Sequence, residues 1–295
     1  MKIRFAVAPS TASLTSETLL EFTEALESSD FDGIWLSDLP VAPTLDPLLA
    51  LALAAGRTRR LRLGANVVPF GRNPFLLAKE LAQLDQLSGG RLLLSFVTGL
   101  GQPGERQALG LDGAGRGAVL EETLALVRAW WAGETVTHRS ERWSFTDLPS
   151  PGRPVQDPLE VWLGGRGPKA LDRVGRVADG WLGAQLTPAE TGLARQRIVE
   201  AAGRAGREVD PEHFGLSIAY TRGEPPAAVL EGIHARRRDI DPRELLPTGA
   251  AGLRAFVSGC VESGLSKFVV RPAGPVTSWG EEAGWLADAI LDLQT

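Results

Sequence analysis

Eight short apolar or β-branched runs, at 3–8, 33–37, 61–68, 92–97, 159–164, 180–184, 214–220 and 267–271, alternate along this chain with longer amphipathic stretches. The runs have strand length, and the intervening stretches at 16–28, 46–55, 73–87, 116–131, 168–178, 188–205, 225–238 with 250–264, and 281–293 carry helical periodicity. Strands separated by helices return in the same direction, so the order reads as repeated βα units and a parallel sheet. Ser88-Gly89-Gly90, Gly206 and Gly264 supply the left-handed residue that closes many helices. Eight such units allow the sheet to close on itself and leave no strand with an unpaired edge. The expected fold is therefore α/β, a (β/α)₈ TIM barrel over residues 1–295 as a single domain. An open doubly wound sheet competes, but it favours a glycine-rich turn after the first strand, where this chain has Pro9-Ser10-Thr11-Ala12-Ser13.

Two insertions break the rhythm. Residues 133–158 read as a short hairpin with a proline-rich return, following the fourth strand and its helix, and 239–249, after strand seven, carries Pro242, Pro247 and Gly249. Long loops of this kind are often functional, and either could cover one end of the barrel.

Charge excludes one class of partner. The formal net charge is −5, and the densest cationic run, Arg236-Arg237-Arg238, is answered by Asp239 and Asp241, so no nucleic-acid footprint is present and the run reads as a solvated helix face. The N-terminal apolar stretch is too short for a secretory signal, and no run reaches membrane-spanning length, so no membrane association and a cytoplasmic location are expected. A single cysteine, Cys260, sits in the helical pattern Leu253-Phe256-Val257-Cys260-Val261 and reads as core. His138, His213 and His234 are not spaced as a metal cluster, and no metal site is expected.

In a barrel of this kind chemistry sits where strands end. Strand five ends in Gly164-Gly165-Arg166-Gly167-Pro168, where glycines let a ligand approach the backbone and Pro168 suits the first turn of a helix whose free N–H groups attract anions. This loop, with Arg166 and Lys169 adding charge, reads either as a phosphate grip or as a plain tight turn. Asp38, after strand two, places a carboxylate near the mouth or caps a turn beside Pro40 and Pro43. Tyr220, ending strand seven, either donates a proton into the pocket or packs the barrel rim. Ser95 lacks a nucleophile elbow. A mouth poor in acids and bases but equipped to hold an anion implies that a cofactor carries the reaction.

The stretch from Arg72-Asn73-Pro74-Phe75 through Leu84-Asp85-Gln86-Leu87-Ser88-Gly89-Gly90-Arg91-Leu92 closely resembles the luciferase-like monooxygenase superfamily of flavin- and deazaflavin-dependent oxidoreductases. So do ERQALGLDGAGRG at 105–117, LEETLALVRAWWAGE, the segment 158–181 with Val161-Trp162-Leu163-Gly164-Gly165, and EVDPEHFGLSIAY at 208–220. The resemblance spans nearly the whole chain and is nearest to subgroups that use the deazaflavin coenzyme F420. It implies a barrel that binds F420, or FMN, and passes a hydride to or from a small organic substrate, with a homodimer expected. It also implies a phosphate site at Gly164, Gly165, Arg166 and Gly167, joined by Thr98 and Gly99, with Asp38 near the ring. A non-prolyl cis peptide at Asn66-Val67, buttressing the ring, is a further expectation. One departure matters: many F420-using relatives carry Asp-His after strand two, whereas this chain has Asp38-Leu39, which leaves Asp38, Tyr220 or a substrate group as the acid, or a reaction that needs only hydride transfer. The other readings are an FMN-dependent monooxygenase served by a separate reductase, and a cofactor-binding protein without turnover.

Overall fold

The computed structural model describes residues 1–10, 14–102, 104–111 and 115–295; residues 11–13 of the turn after the first strand, 103, and 112–114 of the ERQALGLDGAGRG motif lie outside the described residues. Eight parallel strands close into a barrel in the order β1 (Arg4–Val7), β2 (Gly33–Ser37), β3 (Arg62–Val67), β4 (Leu92–Phe96), β7 (Val161–Gly164), β8 (Gly180–Ala184), β9 (Phe214–Tyr220) and β10 (Lys267–Pro272). β10 pairs with β1 from Arg4 opposite Lys267 to Val7 opposite Val270, which shuts the ring. The two remaining strands, β5 (Val136–Arg139) and β6 (Ser144–Leu148), form the antiparallel hairpin expected in the first insertion.

Around the ring run α1 (Ser16–Glu27), α2 (Pro47–Arg57), α3 (Pro74–Ser88), the short α4 (Glu105–Ala108), α5 (Arg116–Trp131), α6 (Pro168–Val177), α7 (Pro188–Arg204), α8 (Ala227–His234), α9 (Gly249–Glu262) and α10 (Trp279–Ile290). Their starts follow the chain's own signals. Asp46 and Asn73 each accept first-turn amide hydrogens just before a proline, and Thr187 with Glu190 closes a capping box on α7. Gly89 ends α3 at φ 68°, the left-handed conformation anticipated there. Among the described residues no helix is long and apolar enough to cross a membrane.

Alternation along each strand sorts side chains into two layers. Phe5, Val7, Ile34, Leu36, Leu63, Val161, Phe214 and Phe268 face the helices and build the main core. Inside the barrel a separate cluster of Ala8, Trp35, Leu182 and Val269 packs with Ala6, Leu93 and Trp162. The Trp35 ring lies where a side chain on Gly64 would stand, and the Trp162 ring covers Gly180 in the same way, so two indoles fill the lumen because two neighbouring positions have none.

Several expectations are corrected. The return of the 133–158 insertion reaches the N-terminal end of the barrel, where Gln156 Nε2 donates to the Leu92 carbonyl at 2.8 Å, and the hairpin packs outside the ring. It lies along α5, with Trp130 edge-on to Phe145 and its Nε1 donating to the Leu148 carbonyl. The segment after β9 does reach the mouth, because Ile233, Leu245 and Leu246 pack over Ala219 and Ala273. Arg237 is no solvated helix residue: α8 stops at His234, and the guanidinium, 2% exposed, bonds Glu190, Asp239 and the Gln185 carbonyl. The Asn66-Val67 peptide is trans; among the described residues the one cis bond is Asp157-Pro158. Cys260 is core, as read, and burial pushes its thiol up to about 12.

Candidate functional site

The same alternation identifies what faces the C-terminal mouth. Ser37, Asn66, Gly164, Ala184 and Ala219 share the inward parity of Trp35, Trp162, Leu182 and Val269, and all are small. They leave room above the two indoles. Asn66 Nδ2 donates to Ser37 Oγ at 3.0 Å, which fixes the amide across the ends of β2 and β3. Arg271 completes the set from β10, with the parity of Lys267 and Val269. It lines a shallow, solvent-open cleft together with Trp35, Ser37, Ser10 and Leu39.

The loop after β7 is open. Gly165, Arg166, Gly167, Pro168 and Lys169 are exposed, and among the described residues the amides of Gly165, Arg166, Gly167 and Lys169 donate to no protein acceptor. Gly165 has φ 119°, and a Cβ there would stand 2.7 Å from Ala170 Cβ, so glycine is required for the turn that aims these amides outward. Its carbonyl is tied down by Trp181 Nε1 at 2.8 Å. Gly167 caps α6 without a side-chain bond, and Pro168 follows at the first helical position. Arg166 donates to the Arg236 carbonyl at 2.9 Å, a segment held in turn by Arg237 on Glu190 and Asp239.

The loop after β4 is already filled. Leu100 and Gln102 donate their amides to Glu105 at 3.1 and 2.8 Å, and that carboxylate is 3% exposed. Gly99, at φ 73°, has its α-carbon against the same group, and Arg116 takes the Thr98 carbonyl at 3.0 Å. Gly99, Leu100 and Gln102 thus wrap a carboxyl group of the protein's own, which occupies the place a phosphate would need there.

Asp38 is also engaged. Its Oδ2 accepts from the Val68 amide at 3.1 Å and from Arg72 at 3.2 Å, and Arg72 bridges on to Asp46, the cap of α2. Burial raises the Asp38 pKa against the pull of Arg72. The residue belongs to a small cleft with Leu39, Leu100 and Glu105, on the outward parity of its strand end. Tyr220 is corrected in direction. It has the parity of Phe214, Leu216 and Ile218, it stacks on Trp285, and its hydroxyl donates to Glu282 at 2.6 Å on the helical side. Burial, reinforced by that carboxylate, drives the phenol pKa far upward, so Tyr220 delivers no proton to the mouth.

Arg271 was not singled out in the sequence, although a signal was there: in Lys267-Phe268-Val269-Val270-Arg271 the charged ends share the inward face. Other polar residues of the 72–92 stretch act as scaffold, among them Asp85, which accepts from Val155, Gln156 and the Gln156 side chain.

The chain is thus a closed parallel barrel of alternating strands and helices with a row of unclaimed amides at the end of one strand. The luciferase-like monooxygenase family model matches residues 1–254, and the chain belongs to that family. It is 29% identical over 256 residues to the 5,10-methylenetetrahydromethanopterin reductase of Methanolobus tindarius, covering 79% of this chain and 74% of that protein. It is 33% identical over 242 residues to a phthiodiolone/phenolphthiodiolone dimycocerosates ketoreductase of Mycobacterium bovis, covering 79% of this chain but 59% of the ketoreductase. An F420-dependent secondary alcohol dehydrogenase, solved with an F420-acetone adduct, superposes over all of both chains with TM-score 0.82 at 17% identity.

Proposed function

We propose that this protein is an oxidoreductase that uses coenzyme F420 to move a hydride to or from a small organic substrate at the barrel mouth, as a cytoplasmic enzyme. The observation that carries the reading is the open amide row at Gly165, Arg166, Gly167 and Lys169, backed by Arg166 at the start of α6. The residues present fit such a group: the loop offers donors for its phosphate, and the small side chains of Ser37, Asn66, Gly164, Ala184 and Ala219 leave a floor for a flat ring. The relatives named above, one an F420-dependent dehydrogenase and one a methylenetetrahydromethanopterin reductase, support this choice of cofactor.

When bound, the deazaflavin supplies the hydride chemistry that side chains cannot. The chain's part is to bind and orient. Gly165, Arg166 and Gly167 hold the anionic tail; Asn66, pinned by Ser37, presents a polar edge; and Trp35 with Trp162 closes the lumen against water from below. Asp38 acts from behind by tying the ends of β2 and β3 through Val68 and Arg72. Thr98 and Gly99 shape the neighbouring wall around Glu105. Leu49 and Leu53 on α2 and Leu76 on α3 leave apolar side chains in solvent, and a second copy of this chain is the partner we propose for them; Leu49→Glu should then shift the sedimentation coefficient from dimer to monomer.

Side-by-side fluorescence titrations with F420 and FMN test the reading. Saturable quenching of F420 at micromolar concentration is expected, with FMN weaker. Tighter FMN binding would instead favour the monooxygenase served by a reductase, uptake of F420 without turnover across a substrate panel would favour a binding protein, and silence with both would remove the enzyme assignment.

A further inference from the structure

Arg271 ends the last barrel strand with its side chain turned into the mouth, and nothing among the described residues answers its charge. Other enclosed arginines are committed: Arg237 to Glu190 and Asp239, Arg72 to Asp38 and Asp46, Arg91 to carbonyls of Ala55, Thr58, Leu61 and Ser88, while Arg195, whose Nε also lacks an acceptor, lies over the Phe214 ring away from the mouth. Among the described residues Arg271 has no hydrogen bond or ion pair, and the charge that reaches it is that of another cation, Arg236. Burial, followed by that repulsion, lowers its pKa, the direction an unanswered guanidinium shows. A second donor on the same cleft is also unclaimed: Trp35 is 6% exposed and its Nε1 has no acceptor. Removing a cation from water without a counter-ion is costly, so a fold that keeps one at its mouth gains from a ligand that brings the charge. The cleft is also lined by the aliphatic side chains of Leu14, Leu39 and Leu45 and by the hydroxyls of Ser10, Ser37 and Thr44. One guanidinium beside aliphatic side chains suits a monoanion with a hydrocarbon body, and among the described residues no second cation lines the cleft to match a phosphate dianion.

We propose that Arg271 sets substrate specificity by taking the carboxylate of a small keto or hydroxy acid, whose apolar body lies along Leu39 and Leu45. This deepens the oxidoreductase reading and rests on it for the fate of the bound acid, but the binding itself can be measured without cofactor. Calorimetry with 4-oxopentanoate, its neutral methyl ester and inorganic phosphate, each run on the protein alone and with F420, tests it. The keto acid should bind at least tenfold tighter than the ester and than phosphate; Arg271→Gln should erase the first difference, and Arg271→Lys should keep part of it. Arg271→Met should melt at or slightly above the wild-type temperature, because it removes an unanswered charge; a drop of several degrees would mark a structural anchor and overturn the proposal. Equal binding of acid and ester in both conditions would also overturn it. So would a tenfold loss of F420 affinity in Arg271→Gln with no keto-acid binding in the wild type, which would hand the cation to the cofactor. Tighter phosphate than keto-acid binding would assign it to a phosphorylated ligand and overturn the carboxylate. Keto-acid binding that survives when F420 does not bind would support this proposal and sink the oxidoreductase reading.

Discussion

The loops after β4 and β7 carry the same local vocabulary, glycines in left-handed or otherwise positive φ at a strand end, yet one is closed and the other open. At Thr98-Gly99-Leu100-Gly101 the turn wraps around Glu105, whose carboxylate consumes two amides. At Gly164-Gly165-Arg166-Gly167 no carboxylate takes the amides of residues 165–167 among the described residues, and they face solvent. Glycine makes a backbone approachable, but whether the approach is made by a ligand or by the protein's own side chain depends on what the next few residues supply. After β4 the chain supplies an acid six residues on from Gly99; after β7 it supplies Arg166, Pro168 and Lys169.

That contrast is most strongly tested by emptying the closed loop. Glu105→Ala deletes a buried charged acceptor and strands two amides, which should cost about 2–3 kcal/mol of unfolding free energy, read from urea denaturation. F420 affinity should move less than twofold, and a large loss of cofactor with little loss of stability would reverse the roles given to the two loops. Distorting the open loop comes next. Gly165→Ala forces a side chain into a positive-φ turn and against Ala170, so it should cost about 1–2 kcal/mol of stability and at least tenfold in F420 affinity. Wild-type affinity in that variant would mean that the amide row is not the grip.

The barrel was legible because periodicity is a long-range signal: all eight strand runs found their places in the ring, and the glycine-terminated helices ended where left-handed residues stood. The open loop was legible for a related reason, since glycine and proline act locally and their roles do not wait on tertiary contacts. Direction was harder to read. Tyr220 stands at a strand end, but its parity with Phe214, Leu216 and Ile218 sends it to Glu282 on α10, 62 residues away in the chain. The same parity test applied to Lys267, Val269 and Arg271 would have found the inward arginine. Asp38 and Glu105 depend on partners that no local pattern announces, Arg72 in one case and the amides of a preceding turn in the other. Arg237 read as solvated because its neighbours are charged, whereas its burial is made by Glu190, 47 positions away.

Two smaller effects sharpen the picture of the open loop. Arg166→Ala removes one exposed guanidinium anchored on the Arg236 carbonyl, so F420 affinity should fall about fivefold, near 1 kcal/mol, with no measurable change in melting temperature of the cofactor-free protein. Unchanged affinity would confine the grip to backbone amides.

The smallest effect concerns the clamp behind that anchor. Arg237 holds Asp239 down to about 2 through direct hydrogen bonds, and on Glu190 burial pulls upward but Arg237 and Thr187 outweigh it, leaving that pKa lowered too. Carboxyls whose folded pKa is depressed contribute stability that is complete above their unfolded values, near 4, and is lost as pH falls toward the folded ones. Amide-exchange protection at 235–239 should therefore be flat from pH 7 to about 5 and decline between about 4 and 2. Because Arg166 is tied to this segment, the loop after β7 should loosen over the same window. Protection at 235–239 that stays flat down to about pH 2 would show that the clamp does not hold this segment, nor through it the anchor of Arg166.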